Sequence, residues 1–341
     1  MGEAMLLGYT CSSEEFEASD LVRFAELAED AGFEFVTLSD HFHPWTTSQG
    51  HSPFAWATAG AMAARTRSVR LGTGVSCPLQ RVHPAIVAQA AATVSELADG
   101  RFFLGVGTGE ALNEHITGER WPPVDVRREM LVEAVAVIRA LWAGDTVDHH
   151  GRYYTVENAR LFSASRHPIE IVWAAAGEAT AREAAEHADG LWITSPSADT
   201  VDAYRDAGGT GAVYGQLTIC WGPADDAVRT AHTVWPNAAI AGQLSQDLPT
   251  WSHFEQAATM VTADDVAARI VCGQDVGAVA AAARAYADAG VTHLHLHQVG
   301  PDQRSFFDAW RHELGDAIEG ALGTTAATTA GSARGGQGGT T

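Results

Sequence analysis

The chain has 341 residues, 46% of them hydrophobic, and a formal charge of −21 from 42 acidic and 21 basic residues. That balance argues against a nucleic-acid or anionic-membrane surface. Every basic residue is arginine, which removes lysine Schiff-base chemistry from consideration. From the start, strand and helix signals alternate. Residues 5–9 read as a strand, and Leu21, Phe24, Ala25 and Ala28 recur at helical spacing, with Ser19 as N-cap and Gly32 as the stop. Strands at 34–38 and 69–75 follow, then a helix over 85–98, a strand at 101–106 and a long helix over 126–142. Residues 153–156 read as one arm of a small hairpin outside the main sheet.

The second half continues with strands at 169–174, 190–194, 212–221 and 291–297, and helices at 178–187, 225–233 and 277–289. Eight strands in repeated βα units predict a (β/α)8 TIM barrel in preference to an open sheet. The stretch between 236 and 270 reads as an insertion lying over the pocket. Residues 1–322 are expected to form a single barrel domain, and 323–341, nearly all Gly, Ala, Thr and Ser, a disordered tail. Cys11, Cys77, Cys220 and Cys272 are scattered, without a CxxC pair, as reduced cytoplasmic thiols would be. No basic leader precedes the short apolar stretch at residues 4–7, so a soluble, cytoplasmic protein without a membrane partner is expected.

Chemistry concentrates where strands end. Ser39-Asp40-His41-Phe42-His43-Pro44-Trp45 follows the second strand, and Gly105-Val106-Gly107-Thr108-Gly109-Glu110 carries the fourth strand into its loop. Barrel loops after strands line the catalytic face, so Asp40, His41, Trp45, Gly74, Cys77, Gly107, Glu110, Thr194, Ser195 and His297 should converge. His41 alone reads first as a capped strand end hydrogen-bonded to Asp40; Trp45 and Glu110 beside it reverse that preference in favour of a chemical role. Asp-His-Phe-His, with His293, His295 and His297, also admits a metal reading, but no further carboxylate cluster completes such a site, and no metal is expected. A dinucleotide turn fails because G-x-G-x-x-G requires glycine where Glu110 stands. The glycines instead admit a flat ring system, with Glu110 as its acid. Ala174-Ala175-Ala176-Gly177 before a helix reads either as a phosphate cradle or as small residues packed beneath that helix.

Taken together, these residues resemble the luciferase-like superfamily of flavin and deazaflavin oxidoreductases, and most closely its glucose-6-phosphate dehydrogenase branch using coenzyme F-420. The resemblance runs from about Leu6 to Ile318. It rests on Gly8-Tyr9, the Ser39–Trp45 run, Leu71-Gly72-Thr73, Pro84-Ala85-Ile86-Val87-Ala88-Gln89, the run from Gly105 through Glu110 to Asn113-Glu114, and Asp302-Gln303-Arg304. It implies a TIM-type barrel, usually a homodimer, with the deazaflavin at the C-terminal ends of the strands. By resemblance, His41 is the base toward a substrate hydroxyl, Trp45 steadies developing charge, Glu110 protonates the reduced ring, and Asp40 orients or charge-balances the site. Cofactor contacts carry over to Gly74, Val75, Cys77, Thr108, Gly109, Asn113, Ala175, Ala176 and Gly177, with a non-proline cis peptide at Gly74–Val75.

The substrate positions depart from that branch. Thr194 is retained, but Pro196-Ser197 stands where the sugar-phosphate enzymes have a lysine. Gln256 matches a second lysine, and only Arg269 remains as a phosphate partner. Losing two cations weakens recognition of a dianion. Phe42-His43-Pro44-Trp45, Thr117-Gly118-Glu119 and Trp121-Pro122 look more like the branch that oxidises simple secondary alcohols. Trp173, Trp192, Trp221 and Trp251 read either as an apolar pocket or as core and oligomer contacts. The resemblance therefore implies a coenzyme F-420-dependent dehydrogenase moving hydride between the carbon of a secondary alcohol or unphosphorylated sugar and the deazaflavin C5. The alternatives are a sugar-phosphate dehydrogenase of the same type, an FMN-dependent monooxygenase and a non-catalytic cofactor-binding protein.

Overall fold

In the computed structural model, residues 4–240 and 242–323 are described; the tail expected beyond Gly323 lies outside them. The first half supplies β1 (Leu6–Cys11), α1 (Ala18–Asp30), β2 (Phe35–Leu38), α2 (Ala55–Arg65), β3 (Arg70–Thr73), α3 (Pro84–Leu97), β4 (Phe102–Val106), the short α4 (Ala111–Glu114) and α5 (Val124–Trp142). An antiparallel hairpin of β5 (Val147–His150) and β6 (Thr155–Ala159) interrupts the pattern. Then come β7 (Glu170–Ala174), α6 (Glu178–His187), β8 (Gly190–Ile193), α7 (Ala198–Asp206), β9 (Val213–Cys220) and α8 (Ala224–Val234). An insert of α9 (Gln243–Asp247), α10 (Trp251–Ala258) and α11 (Ala263–Ala267) precedes β10 (Val271–Cys272), α12 (Val276–Asp288), β11 (His293–Gln298), α13 (Gln303–Ala309) and α14 (Gly315–Leu322).

The parallel strands run β9-β11-β1-β2-β3-β4-β7-β8, and β8 pairs back onto β9, closing an eight-stranded barrel; β10 adds a short edge beside β9. The fold is the expected (β/α)8 barrel. Period-two alternation sorts each strand. Leu7, Tyr9 and Cys11 of β1, like Leu294 and Leu296 of β11, face the helices and join the principal core. Phe35, Phe103, Val172, Trp192 and Tyr214 fill the barrel itself. Glycines make room for them: a Cβ on Gly8 would fall 2.4 Å from the Phe35 ring, and one on Gly72 2.2 Å from the Phe103 ring.

One local expectation needs correction, one helix is added and one open alternative is resolved. Helix α1 begins at Ala18 with Glu17 at its N-cap and no side-chain cap, so Ser19 lies within the first turn. Helix α2 carries no clear signal in the sequence because its alanines appear on every face, yet it buries Trp56, Ala59, Met62 and Ala63. Trp173 and Trp221 are core residues and Trp251 is 41% exposed, so of the four tryptophans considered for the pocket only Trp192 reaches it. The insert does lie at the pocket, where Gly242, Gln243, Ser245 and Gln246 contribute to the wall. Two small apolar clusters hold this segment: Ala231, Val266, Ile270 and Val299 behind it, and Leu112, Ile240, Phe254 and Ala257 with Trp45 in front.

Candidate active site

The loop after β1 contributes a side chain that sequence reasoning passed over. Glu14 is buried, its Oε2 accepting from the Ser12 and Ser39 hydroxyls at 2.8 Å each, while its Oε1 lies 2.9 Å from His41 Nδ1. The contact is an ion pair rather than a linear hydrogen bond. Burial alone would depress the His41 imidazolium, but Glu14, assisted by Glu110, overrides it and raises the group to about 9. Burial likewise pulls the Glu14 carboxyl upward; His41 and the Ser12 hydroxyl prevail and hold it at about 2. The Glu14-Glu15 pair at the first strand end was the available signal.

Glu110 stands at the N-cap of α4, and its Oε2 lies 3.8 Å from His41 Nε2. Asn113 joins the two loops: its Oδ1 accepts from the Phe42 and His43 amides at 2.9 and 3.1 Å, and its Nδ2 donates to Glu110 Oε2 at 3.3 Å. The Trp45 ring meets His41 edge-on at 5.1 Å and is backed by Phe254 at 5.0 Å. His41, Trp45 and Glu110 thus meet at one point, imidazole and carboxylate side by side in the cavity wall.

Asp40 turns away from His41, so the capped strand end considered from sequence does not form. Its Oδ1 accepts from Arg81 Nη2 at 2.8 Å and its Oδ2 from the Ser76 hydroxyl at 2.6 Å. Arg81 also reaches Glu114 through its backbone amide at 2.9 Å and its Nε at 3.3 Å. All three side chains are buried. This Asp40–Arg81–Glu114 cluster clamps the loops after β2, β3 and β4 beneath the pocket. Arg81 and Glu114 carry no motif that reveals the clamp, because only the fold brings them together.

The floor is built from small residues. The Gly74–Val75 peptide is cis. A Cβ on Gly74 would sit 2.6 Å from the Trp192 ring, and one on Gly107 2.8 Å from Val75 Cγ2. Gly109 has φ +69, and its Cβ would meet Cys77 Sγ at 2.5 Å, so that turn requires glycine. Gly74, Val75, Gly107, Thr108, Gly109, Ala174, Ala175 and Ala176 line one cavity of about 630 Å³ together with Glu14, His41, Trp45 and Glu110. A floor of glycines, alanines and Val75 bordered by an imidazole and a carboxyl group fits a planar ring system. Cys77 and Asn113 lie behind the lining, buried, and Gly177 caps α6 with extended backbone.

Of the expected substrate residues only Thr194 lines the cavity. Ser197 caps α7 by accepting from the Thr200 amide, and Gln256 and Arg269 are exposed on the insert outside the lining. The arginine that does line it, Arg128, is engaged by Glu183 through bonds of 3.0 and 2.6 Å. His297 lines it as well, buried, while His295 lies deeper against Thr10. Among the described residues no group of three His, Cys, Asp or Glu side chains is placed to hold a metal ion, and no helix is long and apolar enough to cross a membrane.

Residues 5–293 match the family model described as luciferase-like monooxygenase. The chain is 34% identical over 325 residues to an F420-dependent glucose-6-phosphate dehydrogenase of Tsukamurella paurometabola, covering 90% of this chain and 96% of that protein. It is 35% identical to the protein of the same description from Nocardia farcinica, with the same coverage. A solved F420-dependent secondary alcohol dehydrogenase in complex with an F420-acetone adduct superposes with a TM-score of 0.85 at 30% identity, over 93% of this chain and 99% of that one. The chain belongs to the luciferase-like family.

Proposed function

From that membership we propose that the chain is a coenzyme F-420-dependent dehydrogenase acting on the CH–OH group of a neutral alcohol, or in reverse on the corresponding carbonyl. The observation that carries the reading is the buried Glu14–His41 pair opening beside Glu110 onto the small-residue floor. When bound, the deazaflavin supplies a two-electron hydride acceptor and donor at C5. His41 moves the proton of the substrate oxygen at Nε2, with Glu14 compensating its charge at Nδ1. Trp45, packed on Phe254, closes that side against water. Glu110 is the second proton-carrying group, oriented by Asn113. Gly74, Val75, Thr108, Gly109, Ala175 and Ala176 hold the ring system, while Asp40, Cys77, Asn113 and Gly177 shape the loops that carry it.

Neutral substrates are favoured over phosphorylated ones because Ser197, Gln256 and Arg269 stand outside the lining and Arg128 is committed to Glu183. The relatives named for glucose 6-phosphate therefore supply the chemistry rather than the substrate. We further propose a single barrel domain over residues 1–322 and a cytoplasmic location, and a homodimer, for which the exposed Phe54, Ile86 and Leu97 about α2 and α3 offer apolar surface.

Titration with coenzyme F-420 and with FMN, followed by absorbance, tests the cofactor; tighter binding of FMN overturns it. A screen of secondary alcohols, free sugars and sugar phosphates, read as loss of the oxidised deazaflavin band, tests the reaction. His41→Ala should retain cofactor binding and lose roughly 10²–10⁴-fold in turnover. Turnover undiminished in this variant, or robust oxidation of glucose 6-phosphate, rejects the corresponding part.

A further inference from the structure

We propose that the cavity wall formed by β9 and β11 is a second hydroxyl-binding subsite, with His297 and Gln216 as specificity-determining residues, and that the substrate is a neutral polyhydroxylated molecule such as a free sugar or polyol. The inference rests on the dehydrogenase reading and narrows it. Strands β9 and β11 are in register with Gln216 opposite His295 and Thr218 opposite His297. Alternation turns these four into the barrel while Leu217, Leu294 and Leu296 face the helices. At the upper level Gln216 and His297 reach the cavity, with Thr10, Ser12 and Thr194 also in the lining.

A buried carboxyl behind the imidazole biases its tautomer. Glu15 is buried, accepting from Trp235 Nε1 and from the Gly300 amide at 2.7 Å, and its Oε1 lies 4.0 Å from His297 Nε2. That nitrogen is buried without a hydrogen-bond partner. A carboxyl on this side favours the proton at Nε2, which leaves Nδ1 as acceptor. Nδ1 lies 3.4 Å from Gln216 Nε2 and 3.5 Å from Thr218 Oγ1, at the outer limit of hydrogen bonding. A hydroxyl that donates to Nδ1 and accepts from the Gln216 amide would satisfy both groups better than they satisfy each other. Burial keeps His297 neutral, down to about 4, so the subsite offers hydrogen bonds without charge. Trp45, Trp192 and Trp235 in the same lining provide apolar faces for carbon-bound hydrogens.

An alcohol bearing one oxygen satisfies His41 and leaves this wall with only its long internal contacts. Buried polar groups left without good partners weaken the binding of that alcohol. Sites built to bond a hydroxyl reject analogues lacking it by large factors, whereas apolar pockets discriminate weakly.

Calorimetric titration of the full-length protein with xylitol, glucose and 2-butanol, with and without coenzyme F-420, reads this directly. The polyol or sugar should bind at least 10-fold more tightly than 2-butanol. His297→Phe and Gln216→Leu, each checked for an unchanged melting profile, should both abolish that preference. In turnover the same variants should raise KM for the polyol far more than they lower kcat. Binding of 2-butanol as tight as that of the polyols, or a preference untouched in the folded Gln216→Leu variant, overturns the subsite. Polyol binding without hydride transfer from any alcohol would reject the dehydrogenase reading instead.

Discussion

Glu14 places its carboxylate 2.9 Å from His41 Nδ1, on the edge of the imidazole away from Glu110, and is the strongest upward pull on that imidazole against the effect of burial. His41 raised to about 9 is an imidazolium at neutral pH. A base must first lose that proton, whereas an acid already holds it. Alcohol oxidation should therefore rise with pH toward about 9, and carbonyl reduction should fall above it. In Glu14→Gln the burial cost is no longer opposed by a full charge, so the oxidation limb should move at least one unit to lower pH. kcat/KM profiles in both directions measure this, and a limb that stays in place in the variant removes Glu14 from the mechanism.

The same pair leaves a mark on stability. His41 is raised from 6.5 to about 9, so its contribution is complete below 6.5 and is lost as pH rises through about 9. Glu14 is lowered from 4.5 to about 2, so its contribution is complete above 4.5 and is lost as pH falls through about 2. Both are complete only between 4.5 and 6.5. The difference in unfolding free energy between wild type and Glu14→Gln should peak in that window, at roughly 1–3 kcal/mol. Urea unfolding across pH would reveal it; a flat difference would mean the pair is not ionic in the folded protein.

Arg81 is the single cation between two buried carboxylates, Asp40 and Glu114. Removing it in Arg81→Met leaves both uncompensated, and losing one partner of a buried ionic cluster typically costs about 3–5 kcal/mol. Burial already pushes Glu114 upward, against the pull of Arg81. Without the arginine Glu114 should take up a proton more readily, so the destabilisation at neutral pH should shrink in acid. Equal losses at both pH values in denaturant melts would show that Arg81 acts by packing alone.

The barrel was legible in the sequence because each strand is a short β-branched or aromatic run ending in glycine or polar residues, as in residues 34–38 and 101–106. The convergence of His41, Trp45 and Glu110 was legible for the same reason, since strand ends map to one face. Glu14 follows the first strand and falls under the same rule, yet it was passed over; Arg81 and Glu114 were not legible, because their partners lie 41 and 33 positions away and neither stands directly at a strand end. Ser197, Gln256 and Arg269 were aligned to phosphate-binding positions by resemblance, which cannot register that one caps a helix and two face solvent. Alanine-rich α2 escaped because alanine satisfies either face of a helix and so blurs its period.

Two glycines, Gly72 within β3 and Gly107 directly after the neighbouring β4, separate what the fold needs from what the site needs. A methyl on Gly72 would lie 2.2 Å from the Phe103 ring, which is locked among Phe35, Trp192 and Tyr214 inside the barrel. Gly72→Ala must displace that ring, and overpacking of this kind costs about 1–3 kcal/mol. A methyl on Gly107 would lie 2.8 Å from Val75 Cγ2 and would stand in the cavity floor, where one side is open. Gly107→Ala should therefore melt near the wild-type temperature yet bind coenzyme F-420 at least 10-fold more weakly, while Gly72→Ala should melt several degrees lower and keep its affinity in the folded fraction. Thermal melts paired with deazaflavin titrations distinguish them. If Gly107→Ala bound the coenzyme as well as wild type, the small-residue floor would not be where the ring system rests.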